Sequence, residues 1–274
     1  MMQEVESLFS LKNKVVVVTG ATGILGEAFI RGLNAAKATI VVIGRNEDAA
    51  KARVDEVIQN GGKAIYVLAD VLNEQDLVSA KDQILKSFGR IDALVNGAGG
   101  NVAEAVVQPG SDVFDLNFNA LKQAFDLNLF GTLIPTQIFG QEIAKHGGSI
   151  VNISSVSASQ AVTRVLGYSM AKSAIDSYTK WMAVELANRY AGKVRMNGIV
   201  PGFFLTNQNR NLLTNPDGTL TARGEAIISK TPYKRFGNPD ELIGALVYLL
   251  SDASQFVNGE NITVDGGFCA FSGV

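Results

Sequence analysis

Seven short runs of apolar, mostly β-branched residues recur along the chain: KVVVVTG from Lys14, ATIVVIG from Ala38, AIYVLADV from Ala64, IDALVNGAG from Ile91, SIVNISS from Ser149, VRMNGIVPG from Val194 and ENITVDGG from Glu260. Each has the length of a strand and is apolar almost throughout, the pattern of strands covered on both faces. Between most of them lie segments such as EAFIRGLNAA, LVSAKDQILKSF, AIDSYTKWMAVELANRY and DELIGALVYLL, with Leu, Ile, Val and Ala at helical spacing. Strand alternating with helix implies parallel strands joined by right-handed crossovers. The expected fold is therefore α/β, a doubly wound parallel sheet of about seven strands with helices on both faces, in a single domain over residues 1–274. Ligands of such sheets bind outside the carboxyl ends of the strands, where strand order reverses.

Composition narrows the partners. Lys plus Arg number 24 against 26 for Asp plus Glu, so a net charge of −2 gives no global reason to expect nucleic acid or an anionic membrane. The single cysteine, Cys269, and the single histidine, His146, exclude a disulfide framework, a Cys/His zinc site and a Cys/His nucleophile pair, and no metal is expected. No apolar run approaches the roughly 18 residues of a membrane span, and the first residues, MMQEVESLFSLKNK, are acidic where a signal peptide is basic. These features predict a soluble, cytoplasmic protein with a small-molecule partner. His146 is expected exposed at a helix end, Cys269 packed near the C-terminus, and Trp181 in the core or in a subunit contact. Residues 202–236 show little strand character and a turn signal, NPDG, and are expected to form a substrate lid.

In VVVVTGATGILG a strand meets a glycine-rich turn and the start of a helix, with Gly20, Gly23 and Gly26 spaced G-x-x-G-x-x-G. Glycine lets backbone N–H groups approach a pyrophosphate, and the helix N-terminus favours its charge. Thr22, Ile24 and Leu25 fall in the same loop. At the ends of neighbouring strands, Asp70 and Val71 are candidates for the adenine, while Asn96, Gly97, Ala98 and Gly99 offer a backbone surface to a flat ligand. The second strand ends in Gly44, Arg45 and Asn46, with no acid to hold a ribose 2′-hydroxyl. Arginine suits a 2′-phosphate, which favours NADP(H), with NAD(H) as the alternative.

YSMAK sets Tyr168 and Lys172 four residues apart on one helical face. A phenol with an ordinary pKa of about 10 becomes a usable acid or base when a nearby ammonium stabilises its phenolate.

Taken in order, TGATGILG, ADV, NGAG, DLNLFG, VNISS, YSMAK, VRMNGIVPG and VDGG make the whole chain resemble the short-chain dehydrogenase/reductase family, a Rossmann-type fold. The resemblance implies a catalytic set of Asn128, Ser155, Tyr168 and Lys172, Ser155 being chosen over Ser154 because it stands thirteen positions before the tyrosine. It implies reversible hydride transfer between a secondary alcohol or ketone and a nicotinamide. Tyr168 would move the hydroxyl proton, Ser155 would bond the carbonyl oxygen, Lys172 would hold the ribose and lower the tyrosine pKa, and Asn128 would position a water. Pro201 and Gly202 would lie beside the nicotinamide. The glycine spacing departs from the T-G-x-x-x-G-x-G of many short members and matches extended ones, whereas the length and the terminal strand match the short ones. By the same resemblance a homotetramer or homodimer is expected, through segments 115–130 and 173–190.

The stretch from GFFLTNQNR to GNPDEL and the ending VDGGFCAFSGV resemble the D-mannonate oxidoreductase (fructuronate reductase) group. This implies a keto-sugar acid as substrate, D-fructuronate or D-mannonate, with another keto-sugar acid, a 3-oxoacyl thioester or non-catalytic NADP sensing as alternatives. A sugar acid needs a cation for its carboxylate and polar groups for its hydroxyls. Asn101, Arg164, Asn207, Asn209 and Arg210 are the candidates.

Overall fold

Along the strand Val15–Thr19 (β1) every side chain is buried, and alternate residues serve two different cores. Val16 and Val18 pack on one face of the sheet, and Val15 and Val17 on the other. That is why this run shows no polar alternation in the sequence. In this computed structural model, residues 4–206 and 209–273 are described.

Six further strands follow: β2 (Thr39–Gly44), β3 (Lys63–Leu68), β4 (Ala93–Asn96), β5 (Gly148–Ile153), β6 (Val194–Pro201) and β7 (Asn261–Val264). They form one sheet in the order β3-β2-β1-β4-β5-β6-β7, and every pairing is parallel. The helices are α1 (Val5–Leu8), α2 (Ile24–Ala35), α3 (Glu47–Gln59), α4 (Glu74–Phe88), α5 (Phe118–Phe125), α6 (Gly131–His146), α7 (Leu166–Arg189), α8 (Arg210–Leu213), α9 (Ala222–Lys230) and α10 (Ile243–Leu250). Ile30 and Leu33 of α2, Val54 and Val57 of α3 and Leu246 and Leu249 of α10 fill the first core. Leu77 and Ile84 of α4, Phe139 and Ile143 of α6 and Leu186 of α7 fill the second. The chain is thus a single Rossmann-like α/β domain, as the sequence pattern predicts. No helix among the described residues is long and apolar enough to cross a membrane.

Strand order reverses between β1 and β4, and a buried polar ladder crosses the sheet there. Thr19, Asn96 and Asn152 stand in register on β1, β4 and β5. Asn96 Nδ2 donates to Asn152 Oδ1 and to Thr136 Oγ1, both at 2.8 Å, and Asn152 Nδ2 donates to Thr179 Oγ1 of α7 at 2.9 Å. Thr19 Oγ1 accepts from the N–H groups of Gly97 and Ala98 at 3.2 Å. A buried amide costs free energy unless its donors and acceptors are met, so each member holds its neighbour in one register.

Two features are placed more finely than the sequence allows. Trp181 is 62% exposed on α7 and takes no part in either core, its neighbour one turn on being the exposed Val184. Segment 202–236 is not mere loop. It carries α8 and α9, with a bridge Thr214↔Leu220 closing a hairpin over NPDG and a bridge Phe204↔Gly237 tying its two ends together. His146 is exposed at the end of α6, as expected.

Asn152→Ala removes the acceptor of Asn96 and the donor to Thr179 in a dry site. Chemical denaturation at fixed protein concentration should show a loss of about 2–4 kcal/mol, since each orphaned buried group costs roughly 1–3. A loss under about 0.5 kcal/mol, the usual range of surface changes, would refute the ladder's role.

Candidate active site

The carboxyl ends of β1, β2, β4, β5 and β6 open onto two adjoining cavities. The outer one, of about 440 Å³, is lined by the expected cofactor residues Gly20, Thr22, Gly23, Ile24, Leu25, Gly26, Arg45, Asp70, Val71, Gly97, Ala98 and Gly99, and also by Ile43, Gly44, Ala69, Leu72, Leu127 and Thr206. The inner one, of about 190 Å³, holds Ser155, Tyr168, Lys172, Pro201 and Gly202. Leu25, Gly97, Gly99 and Thr206 line both, so the two form one crevice.

The odd glycine spacing has a geometric reading. Gly20 has φ +67°, and a Cβ there would stand 2.4 Å from Gly97 O; one on Gly26 would stand 2.3 Å from Gly20 O. These two let the loop press against β4 and against its own helix. Gly23 is the N-cap of α2 and has no side chain to accept from the first-turn N–H groups. Those donors are left to a ligand, and an anion is the favoured one. The donor set and the close backbone approach therefore fit a dinucleotide pyrophosphate.

Arg45 is 76% exposed at the mouth, and its guanidinium lies 3.6 Å from Asp70, so the residues expected at the 2′-position and at the adenine are close to one another. Asn46 and Asn96 do not face the crevice with their side chains. Asn46 Oδ1 caps α3 by accepting from Ala49 N at 2.9 Å, and Asn96 is spent on the polar ladder. Both were legible as polar residues at strand ends, but a cap and a sheet brace use the same side chain as a ligand contact.

Tyr168 and Lys172 lie in the first turns of α7. The ammonium is 5.5 Å from the phenol ring centroid and donates to Ile153 O at 2.7 Å. Burial pushes the Tyr168 phenol above its ordinary pKa, against a smaller opposing effect of a hydrogen bond with Ser155. Lys172, only 4% exposed, is itself lowered to about 8 by burial, countered by the charge of Asp176. Asp176 sits one turn further along α7, and its carboxyl is raised by burial. It was missed in the sequence, although its i+4 spacing from Lys172 was there to read. Ser155 Oγ accepts from Ser157 N at 3.2 Å and from Ser157 Oγ at 3.1 Å.

Asn128 is fully buried in a π-helical turn, residues 126–130. Its Nδ2 donates to Gly100 O and Ala124 O at 2.8 Å, and its Oδ1 accepts from Gly100 N at 2.9 Å. Both amide protons and the carbonyl oxygen are used, which clamps the turn after β4. Oδ1 and the Lys172 ammonium flank Gly99.

The candidate substrate residues separate. Asn101 lines the inner cavity. Asn209 lines it too, but its amide holds the lid turn by accepting from Thr206 N and donating to Phe204 O, both at 2.8 Å. Arg164 turns away, donating to Val107 O at 3.2 Å and Gln108 Oε1 at 3.0 Å. Arg210 is exposed and outside the lining, and Asn207 lies outside the described residues. Arg223 of α9, absent from the sequence reading, does line the cavity. Cys269 packs beside Val156, Val200 and Phe268, and burial with the neighbouring Asp265 pushes its thiol up to about 11.

A doubly wound sheet with a bare helix N-terminus at its switch point defines a nucleotide-binding class, and known proteins narrow it. The family described as enoyl-(acyl carrier protein) reductase matches residues 20–269. The uncharacterized oxidoreductase UxuB of Bacillus subtilis (strain 168) is 41% identical over 275 residues, which cover 97% of this chain and 98% of that protein. The crystal structure of a proposed D-mannonate oxidoreductase from Haemophilus influenza, with bound NAD, matches at TM-score 0.90 and 38% identity over 99% of this chain and 100% of that one. That of a gluconate 5-dehydrogenase from Burkholderia cenocepacia J2315, in complex with NADP and tartrate, matches at TM-score 0.85 and 31% identity over 97% and 99%. The chain belongs to the short-chain dehydrogenase/reductase family.

The Lys172 shift carries a sign. The unfolded chain keeps this proton up to 10.5 and the folded one releases it near 8, so the penalty on folding is full below about 8 and is relieved as pH rises toward 10.5. The thermal midpoint of the wild type should therefore gain on that of Lys172→Met between pH 8 and 10 at constant ionic strength. Parallel curves would show that the lysine is not desolvated.

Proposed function

We propose that this protein interconverts a keto-sugar acid and its secondary alcohol, D-fructuronate and D-mannonate being the preferred pair, with Tyr168 moving the proton. The observation that carries the reading is that Tyr168, Ser155 and Lys172 share a cavity that opens directly into the cleft beneath the α2 N-terminus. The chain is an oxidoreductase acting on CH–OH groups with NAD(P). When bound, NAD(P)H supplies the hydride and NAD(P)⁺ accepts it.

Gly20, Thr22, Gly23, Ile24, Leu25 and Gly26 would hold the pyrophosphate, and Asp70 with Val71 the adenine end. Arg45, free at its outer side, offers its charge to a 2′-phosphate, which supports NADP(H) ahead of NAD(H). Lys172 would hold the nicotinamide ribose, with Pro201 and Gly202 walling the ring.

In reduction the substrate carbonyl oxygen would lie between Ser155 Oγ and the Tyr168 hydroxyl. Burial keeps the phenol protonated at neutral pH, so it enters the reaction able to donate. Ser155, its hydroxyl already bonded to Ser157, is held to donate to the oxygen as negative charge grows there. The Lys172 ammonium stabilises the phenolate left behind, and Asn128, by clamping Gly100, keeps the turn between the two cavities in place. In oxidation the same groups run in reverse. Phe203, Phe204, Leu212 and Leu213 give the lid an apolar part that would exclude water, beside its polar Thr206, Asn209 and Arg223. The assembly expected through 115–130 and 173–190 is supported by the exposed Phe118, Trp181 and Val184.

Turnover with NADH and NADPH against D-fructuronate, other keto-sugar acids and acetoacetyl thioesters tests the substrate. Preference for the thioesters would move the protein to the acyl reductases, and tight NADPH binding without turnover of any carbonyl would make it a sensor. Better rates with NADH would refute the reading of Arg45.

Tyr168→Phe removes the transferable proton and little else. Its kcat should fall at least about 1,000-fold, within the scale of general acid catalysis plus the lost hydrogen bond, while the cofactor Kd measured by fluorescence stays within threefold. Residual activity of about a tenth or more would sink the assignment.

A further inference from the structure

Arg223 has no part in proton or hydride transfer, yet it is the sole charged side chain besides Lys172 that lines the inner cavity among the described residues. It reaches the cavity from α9, in the lid, and donates to Thr163 Oγ1 at 3.1 Å and to Thr163 O at 3.0 Å. A guanidinium has five N–H donors, so three remain to be met. Around it the lining is apolar: Val162, Val165, Leu212 and Leu213. No ion pair among the described residues involves it. Its nearest charged influence is another cation, Arg164, which with burial pulls its pKa down.

A cation beside a second cation, with no acid of its own, leaves its remaining donors to solvent or to an anionic ligand. Several other arginines answer a carboxylate, Arg31 with Glu27 and Asp240, Arg53 with Glu27, Arg90 with Asp92 and Arg235 with Glu241, while Arg195 and Arg164 spend their donors on carbonyl, hydroxyl and amide oxygens. Arg223 differs in facing the one volume that a substrate enters.

We infer that Arg223 is the anchor for the substrate's carboxylate and sets the preference for an acid over a neutral ketone. The inference rests on the keto-sugar-acid reading above and names the residue that reading lacks, in place of Arg164 and Arg210. The planar fork takes a carboxylate through two parallel N–H groups. The two bonds to Thr163 come from Nη1 and Nη2, so the side-on pair, Nε–H with a terminal N–H, is the one left for a carboxylate, and Thr163 ties this group to the segment that leads into α7. Because α9 belongs to the lid, a bound carboxylate also neutralises the repulsion between Arg223 and Arg164.

The test uses the full chain with its preferred cofactor and the variants Arg223→Met and Arg223→Lys, against D-fructuronate and the uncharged D-fructose. Losing a charge-assisted pair should raise the D-fructuronate KM of Arg223→Met about 10- to 100-fold, with kcat and cofactor Kd within about threefold. Arg223→Lys should recover part of that loss. The KM or rate for D-fructose should move less than threefold, and D-mannonate should raise the melting temperature of the wild-type cofactor complex but not that of Arg223→Met. Equal losses on both ketones, with no rescue by lysine, would make Arg223 a structural latch and overturn the inference while leaving the sugar-acid reading intact. An unchanged D-fructuronate KM would overturn it in the same way. Wild-type protein that neither turns over a keto-sugar acid nor is stabilised by D-mannonate would overturn both.

Discussion

The buried ladder Thr19–Asn96–Asn152–Thr179 is the constraint on which the crevice depends. It joins three strands at their carboxyl ends and ties them to α7, the helix that carries Tyr168 and Lys172. A sheet of aliphatic strands packs well in more than one register, because one valine replaces another at little cost. Amides in a dry site do not tolerate a slip, since every partner would be lost at once. The ladder therefore sets the heights at which the turn after β1, the turn after β4 and the start of α7 meet. The glycine turn and the Tyr168–Lys172 pair keep their spacing for that reason.

The same economy of polar groups explains the two cavities. In the outer one the donors are main-chain N–H groups at a helix end with no capping side chain, the arrangement that suits an anion. The inner one inverts this: its walls are largely apolar, and a few side chains supply all of the polarity. Burial disfavours the charged forms of the phenol, of the lysine, lowered to about 8, and of the arginine in that setting. Stability and function pull against each other in this cavity, and α7 together with the lid hold the unfavourable groups where they are.

Much of this was legible in the chain. Strands covered on both faces announce themselves as unbroken apolar runs, and their alternation with amphipathic segments leaves few topologies once crossovers must be right-handed. The Tyr168–Lys172 pair and the glycine loop were readable because local geometry, a helix turn or a tight bend, already puts those residues together. Asn46 and Asn96 show the limit: an asparagine at a strand end looks the same whether it meets a ligand, caps a helix or braces a sheet. Arg164 and Arg223 show it again. Both are arginines in polar stretches, and only the path of α9 over the sheet turns one toward the cavity while the 106–108 loop takes the other.

What the sequence by itself determined is everything carried by short-range periodicity and spacing: the seven-stranded doubly wound sheet, the nucleotide-binding turn, and a tyrosine and lysine on one helix face. Its single cysteine and single histidine also turned the chemistry toward other side chains. The tertiary structure decided which polar side chains are free to act, that the tyrosine's pKa rises in the free protein, and which arginine faces the cavity. Those outcomes depend on burial and on partners far apart in the chain, such as Lys172 with Ile153 or Arg223 with Thr163, and no local pattern encodes a contact that only the folded sheet brings within 3 Å or so.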